Sequence, residues 1–225
     1  MSNFNILELQ KKWAYLLEGP KRSFKPEKGE NKVSASKLQD QLLKDSEYQN
    51  WLREREEVRE MLENAYAEDA KPLVDDLSKL GFNFSSPWDL VNIKSNYKTA
   101  IPTLIEHLTK PYVIKNKEGI ARALAVKDAK AIACNAILHE YSNTPKNESN
   151  YRWVLGNTMT VIITPEYVDD VIEIVQNESN GESRQMFVAA LGNIKTSRVR
   201  DVLQKMINDK SDVIKKEAKK ALNSF

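Results

Sequence analysis

Four stretches of this 225-residue chain carry one pattern: 117–124, 148–155, 184–191 and 215–222. Aligned on their terminal leucines, Leu124, Leu155, Leu191 and Leu222, they recur at steps of 31, 36 and 31 residues. One residue before each leucine stand Ala123, Val154, Ala190 and Ala221; four before stand Ile120, Tyr151, Phe187 and Ala218. In an α-helix these three positions share a face, since four residues turn through about 400°. That face is apolar in every copy and small beside the leucine, which lets neighbouring helices come close. A repeat of about 30–40 residues cannot bury such a face alone and must stack on its neighbours.

The flanking columns add detail. Seven before the leucine are Lys117, Glu148, Arg184 and Lys215, basic in three copies of four. One after it are Ala125, Gly156, Gly192 and Asn223, and Gly or Asn there predicts a left-handed turn closing the helix. A second helical pattern precedes each copy. Ile101, Leu104/Ile105 and Leu108 have the spacing, as do Val168, Val171/Ile172 and Val175, and Val199, Val202/Leu203 and Met206. Thr164-Pro165 reads as an N-cap followed by a first-turn proline. Two helices, a short loop and then the next pair form a helical-repeat unit.

The segment from Ser211 through Val213, Lys215, Ala218 and Ala221-Leu222 resembles the second helix of a HEAT repeat. Ala100-Ile101-Pro102-Thr103-Leu104 with Glu106-His107-Leu108 resembles the first. The likeness runs from residue 97 to 225 and departs in the second copy, where Glu148 replaces the basic residue and the loop 142–147 is longer. It is a likeness to bacterial HEAT-repeat proteins of undefined role. It implies an all-α fold, an α-solenoid of about four HEAT-like helix pairs over residues 96–225, and a binding surface without a reaction.

The first third reads differently. Phe4, Ile6/Leu7, Trp13 and Leu16/Leu17 predict a helix over 4–17, either docked on the body or held out as an arm. Residues 18–35 have linker composition, with Pro20, Pro26 and Gly29 among charges. The expected organisation is therefore 1–35, an N-terminal helix plus flexible linker; 36–95, N-terminal helices packing on the solenoid; and 96–225, the HEAT-like repeats. Ser36 is a candidate cap for a helix through Tyr66, Pro72 for the start of another, and Ser86-Pro87-Trp88-Asp89 for a capped first turn. From Asp40 to Lys79 twelve carboxylates face six cations, whereas from Asn193 to Phe225 nine cations face four carboxylates. Solvated helix faces and a polar terminal cap account for this; a basic end meeting an acidic partner is the sharper alternative.

Motifs for catalysis are missing. His107 and His139 lie 32 residues apart, with no Cys-x-x-Cys, His-Glu-x-x-His, phosphate loop or Gly-x-Ser-x-Gly elbow. No catalytic residue, metal or cofactor is expected. The single cysteine, Cys134, sits in an apolar helix and reads as a buried structural thiol. No basic start with a long apolar run and no apolar stretch of 18 residues occurs, so no membrane is expected and a reducing cytoplasm is the expected compartment. The candidate binding residues lie on the second helices: Lys117, Glu118, Arg122, Trp153, Asn157, Arg184 and Asn193, with Arg152 and Gln185 among them. Stacking should turn equivalent positions into ladders on a concave face that holds a protein partner. The rival account of the basic column is structural, capping loop carbonyls or pairing with carboxylates of the next repeat. The alternative function is a HEAT-like nucleic-acid binder or alkylpurine DNA glycosylase, which the net charge of +2 disfavours.

Overall fold

A computed structural model of the chain describes residues 5–20, 34–91, 93 and 95–225. Among these residues all regular structure is helical, with eleven α-helices, short 3-10 turns and no strand. Packing divides the chain into two compact units, Met1–Glu68 and Asp69–Phe225.

The first unit holds α1 (Ile6–Leu17), α2 (Ala35–Lys44) and most of α3 (Ser46–Lys79). Asn5 caps α1 by accepting from the Leu7 amide at 3.1 Å, and Gly19 follows its end at φ +66°. Leu9 and Leu16 of α1 are buried against Val58 and Leu62 of α3, with Trp13 and Trp51 packed around them. Trp51 Nε1 donates to the Leu16 carbonyl at 3.0 Å, satisfying one of the acceptors that a helix end leaves open. The first helix thus packs on α3 within the first unit. The linker reading falls mostly on residues 21–33, outside the described residues.

Two expectations about helix boundaries are corrected. Ser34, not Ser36, caps α2, and the predicted single helix breaks at Asp45, which restarts α3 by accepting from the Tyr48 amide at 3.0 Å. Pro72 starts no new helix and lies inside α3. A proline there forfeits one backbone bond, yet Ala70, Leu73 and Leu77 on either side of it are fully buried and hold the helix together.

The second unit is a succession of helix pairs: α4 (Ile101–Leu108) with α5 (Ile114–Ala123), α6 (Cys134–Asn143) with α7 (Ser149–Ile162), α8 (Val168–Gln176) with α9 (Gln185–Leu191), and α10 (Ser197–Met206) with α11 (Asp212–Leu222). The second member of each pair packs on the next: α5 on α7, α7 on α9, and α9 on α11. The aligned columns form the seams of this stack. Leu124, Leu155 and Leu191 are fully buried, as are Ile120, Phe187 and Ala218, while Leu222 of the last copy is half-buried. A 3-10 turn, Pro87–Leu90, covers α5 from the other side, fixed by Asp89, which accepts from the Ser85 and Ser86 amides.

The two repeat glycines do not close helices by a left-handed turn. Gly156 lies in the middle of α7, and Gly192 follows α9 at φ −57°. Both mark points of closest approach instead. A methyl group on Gly156 would stand 2.8 Å from Phe187 Cδ2, and one on Gly192 would stand 2.8 Å from Ala221 Cβ. Neither distance is available to a real side chain, so the space exists only for hydrogen.

Two stability outcomes follow from this stack. Leu155→Ala and Leu191→Ala, measured by denaturant melts, should each cost about 2–5 kcal/mol as buried large-to-small changes. Gly156→Ala should cost about 1–3 kcal/mol by overpacking against Phe187, even though alanine is the better helix former. A stabilised Gly156→Ala protein would show that α7 and α9 are not in close contact.

Candidate partner-binding face

The basic column is mostly spent inside the fold. Lys117 reaches from α5 to Glu140 of the following pair, with Nζ–O distances of 2.8 and 3.0 Å. Both partners are largely buried, and Tyr151 donates to the same carboxylate at 3.2 Å. Burial, with the charge of Glu140 beside it, drives the Tyr151 hydroxyl far above its ordinary pKa. Arg184 does more. Its guanidinium donates to the Val175 and Gly181 carbonyls and makes a two-pronged pair with Asp209 at 2.8 and 3.0 Å. Both side chains are under 10% exposed. Lys215 pairs with Asp212 on its own helix at 2.9 Å. Arg184 and Lys117 therefore join one helix pair to the next and are withdrawn from the proposed strip.

The second copy lacks the basic residue, and Arg152, one turn further along α7, takes over. It donates to the Tyr141 and Thr144 carbonyls at 2.9 and 2.7 Å and to Asn180 Oδ1, in the following pair, at 2.8 Å. Its guanidinium lies 3.8 Å from the centre of the Tyr141 ring.

What remains on the outward side of the second helices is a connected polar strip. Trp153 of α7 is half-buried, and its Nε1 donates to Gln185 Oε1 of α9 at 3.0 Å. Gln185 in turn donates to Glu217 Oε2 of α11 at 3.2 Å. Asn193 donates to the Thr160 carbonyl at 2.7 Å, tying the loop after α9 to the end of α7. Beside these bonds a hollow of about 380 Å³ is lined by Thr160, Met186, Ala189, Asn193 and Lys220, among others. On α5, Glu118 accepts twice from Arg122, at 2.9 and 2.8 Å, and the guanidinium sits 5.9 Å from the Trp88 ring. Asn157 is half-buried on the same turn of α7 as Thr160, whose hydroxyl donates to its carbonyl. Of the seven candidates, Trp153, Asn157 and Asn193 come together, Arg122 and Glu118 hold the neighbouring helix, and Lys117 and Arg184 turn inward.

Sequence reasoning missed the carboxylates that receive the buried cations. Glu140 follows Lys117 by 23 residues and Asp209 follows Arg184 by 25, a recurrence that the repeat alignment contains. It also missed Trp88, which packs on Gly119 and donates to the Lys115 carbonyl at 3.0 Å.

The remaining candidates for chemistry resolve as structure. His107 is fully buried between Asp76, 3.0 Å from Nε2, and Tyr112, 2.6 Å from Nδ1. Burial, with Asp69 nearby, pushes the Tyr112 hydroxyl up to about 12. Cys134 is buried, donates to the Ile162 carbonyl at 3.2 Å, and burial raises its thiol. Among the described residues no group of three His, Cys, Asp or Glu side chains has metal-binding geometry, and no helix is long and apolar enough to cross a membrane.

The Arg184–Asp209 pair predicts an acid-sensitive joint. Burial alone would raise the Asp209 carboxyl, but the Arg184 hydrogen bonds, the Ser211 amide and the charges of Arg184 and Lys215 outweigh it and lower its pKa. A carboxyl depressed in the folded state contributes stability that is complete above its unfolded pKa and vanishes as pH falls through the folded one. The loss should begin below about pH 4. Asp209→Ala should cost about 3–5 kcal/mol near neutral pH, because it strands a buried guanidinium. The variant's stability should also lose the part of the acid dependence that belongs to this carboxyl; an unaltered acid limb in chemical melts at stepped pH would remove the pair from that role.

Neither a protein-family model, nor a curated protein, nor a solved structure matches this chain.

Proposed function

We propose that residues 96–225 form a HEAT-like α-solenoid and that the protein is a non-enzymatic scaffold binding a protein partner on the face of α5, α7, α9 and α11. The observation that supports this most is the strip itself. Four second helices follow one another side by side. Their outward positions keep an indole, amides and a guanidinium at the surface after packing has taken the rest. Trp and Arg supply interface energy because each combines a large contact area with directed donors. The hollow beside Asn193 supplies relief for a partner side chain. In a solenoid such a strip is continuous along the inner face, so a partner can touch several repeats at once.

The nucleic-acid alternative draws on the exposed lysines and arginines of α10 and α11. Asp201 and Asp212 on the same helices, and Arg198 paired with Asp169, dilute that charge. A neutral chain releases few counterions on meeting phosphates.

Arg122→Ala combined with Asn157→Ala should abolish recovery of the partner that the wild-type chain captures from its own cell lysate. The melting temperature should stay within about 2 °C, as expected for changes outside the core. Recovery of the same partner by the double variant would move the interface off this strip. Submicromolar binding to duplex DNA at physiological salt would replace the scaffold reading with the nucleic-acid one.

A further inference from the structure

A second feature lies on the other side of the helix pairs and is independent of the scaffold reading. The first helices α4 and α6 pack together, as do α8 and α10, whereas α6 and α8 meet less closely. Between them opens a cleft of about 620 Å³. This is within the range of pockets that hold small organic ligands. The long loop of the second copy, Thr144 to Lys146, forms part of its wall, so the insertion that breaks the repeat also shapes the cleft.

The cleft contains a buried charge without a counter-charge. Arg152 is 3% exposed and belongs to the lining. Its three hydrogen bonds all go to neutral acceptors, and Nε, itself shielded from solvent, has no acceptor among the described residues. The two sister joints differ: Lys117 has Glu140 and Arg184 has Asp209. At the joint made by Arg152 the group reaching back from the following pair is an amide, Asn180. Among the described residues no carboxylate lies within ion-pair distance of Arg152. A buried cation held only by neutral groups is costly, and an anion drawn into the cleft relieves that cost.

The same lining also holds charges of the opposite sign. Asp170 and Glu173 of α8 are exposed and line the cleft together with Arg152 and Lys146, whose Nζ donates to Ser179 Oγ at 2.8 Å. Leu138 and Ile174 supply apolar surface between. Two cations, from α7 and the loop before it, and two carboxylates from α8 make a lining of mixed sign and zero net charge. Such a lining suits a neutral molecule with separated charges.

We propose that the cleft between α6 and α8 binds a small zwitterion of the amino-acid or dipeptide class. The carboxylate lies against the Arg152 guanidinium, the ammonium lies against Asp170 and Glu173, and an apolar side chain rests on Leu138 and Ile174.

Calorimetric titration with L-leucine and with glycyl-L-leucine tests this and separates the two sources. At least one should saturate with Kd below about 1 mM. Glycyl-L-leucine amide, which lacks the carboxylate, and N-acetyl-glycyl-L-leucine, which lacks the ammonium, should each bind at least about tenfold more weakly than glycyl-L-leucine. Asp170→Asn with Glu173→Gln alters only exposed side chains and should weaken binding by a similar factor at unchanged melting temperature. Absence of saturation by both zwitterions up to about 10 mM, equal binding of either capped peptide, or undiminished binding by the double variant would each overturn the proposal.

Discussion

The stack depends on one close contact: α7 lying against α9 with only hydrogen at Gly156 beneath the Phe187 ring. Phe187 also meets Tyr141 edge-on, with ring centres 4.6 Å apart, so the same side chain binds its own pair to the one before. Gly192 repeats the contact one step on, against Ala221. These helices are short, and α9 spans seven residues. Isolated helices under about 12–15 residues are marginal in water. Their helicity therefore comes from the packed face, and the packed face exists because the backbones can touch. The fully buried leucines on either side contribute about 1.5–3 kcal/mol each by burial, but only at the separation the glycines permit.

Close packing along the second helices leaves the loops between pairs to be held by something else. Polar joints do this. Lys117 with Glu140, Arg152 with Asn180 and Arg184 with Asp209 each bridge from a second helix into the following pair. Their contribution is geometric as much as energetic, since a buried ion pair roughly repays its own desolvation. What they specify is register: each cation accepts only the neighbour that brings a carboxylate or an amide to its loop. The chain uses this device at Arg152 without a counter-charge, beside the cleft lined by α6 and α8.

Both proposed binding regions consist of what packing leaves over. The strip through Trp153, Gln185 and Glu217 consists of side chains that satisfy each other across three helices and still present donors and ring surface outward. The cleft beside Arg152 arises from incomplete stacking. The hollow beside Asn193 is lined mainly by α7, α9 and α11, whereas the cleft beside Arg152 draws its lining from α6, α8 and the loops around them and mixes charges of both signs.

Periodicity alone determined the helical class, the pairing of helices, the buried columns at Leu124, Leu155 and Leu191, and the capped turn at Ser86. Each of these is local in sequence or repeats with the helix period, so apolar spacing is enough to reveal it. The destination of the charged residues was not legible. Lys117 and Arg184 occupy the same column as Lys215, yet two are buried and one is not, because only the tertiary structure brings Glu140 and Asp209 to their loops. Gly156 and Gly192 suggested a closing turn by residue type; the structure assigned them to helix contact, since glycine serves both uses and only the neighbour decides. Pro72 was read as a boundary by local preference and was overridden by burial of Leu73 and Leu77. The cleft between α6 and α8 could not be seen in the sequence at all, because its lining comes from α6, α7, α8 and the loops beside them, which only the tertiary structure brings together.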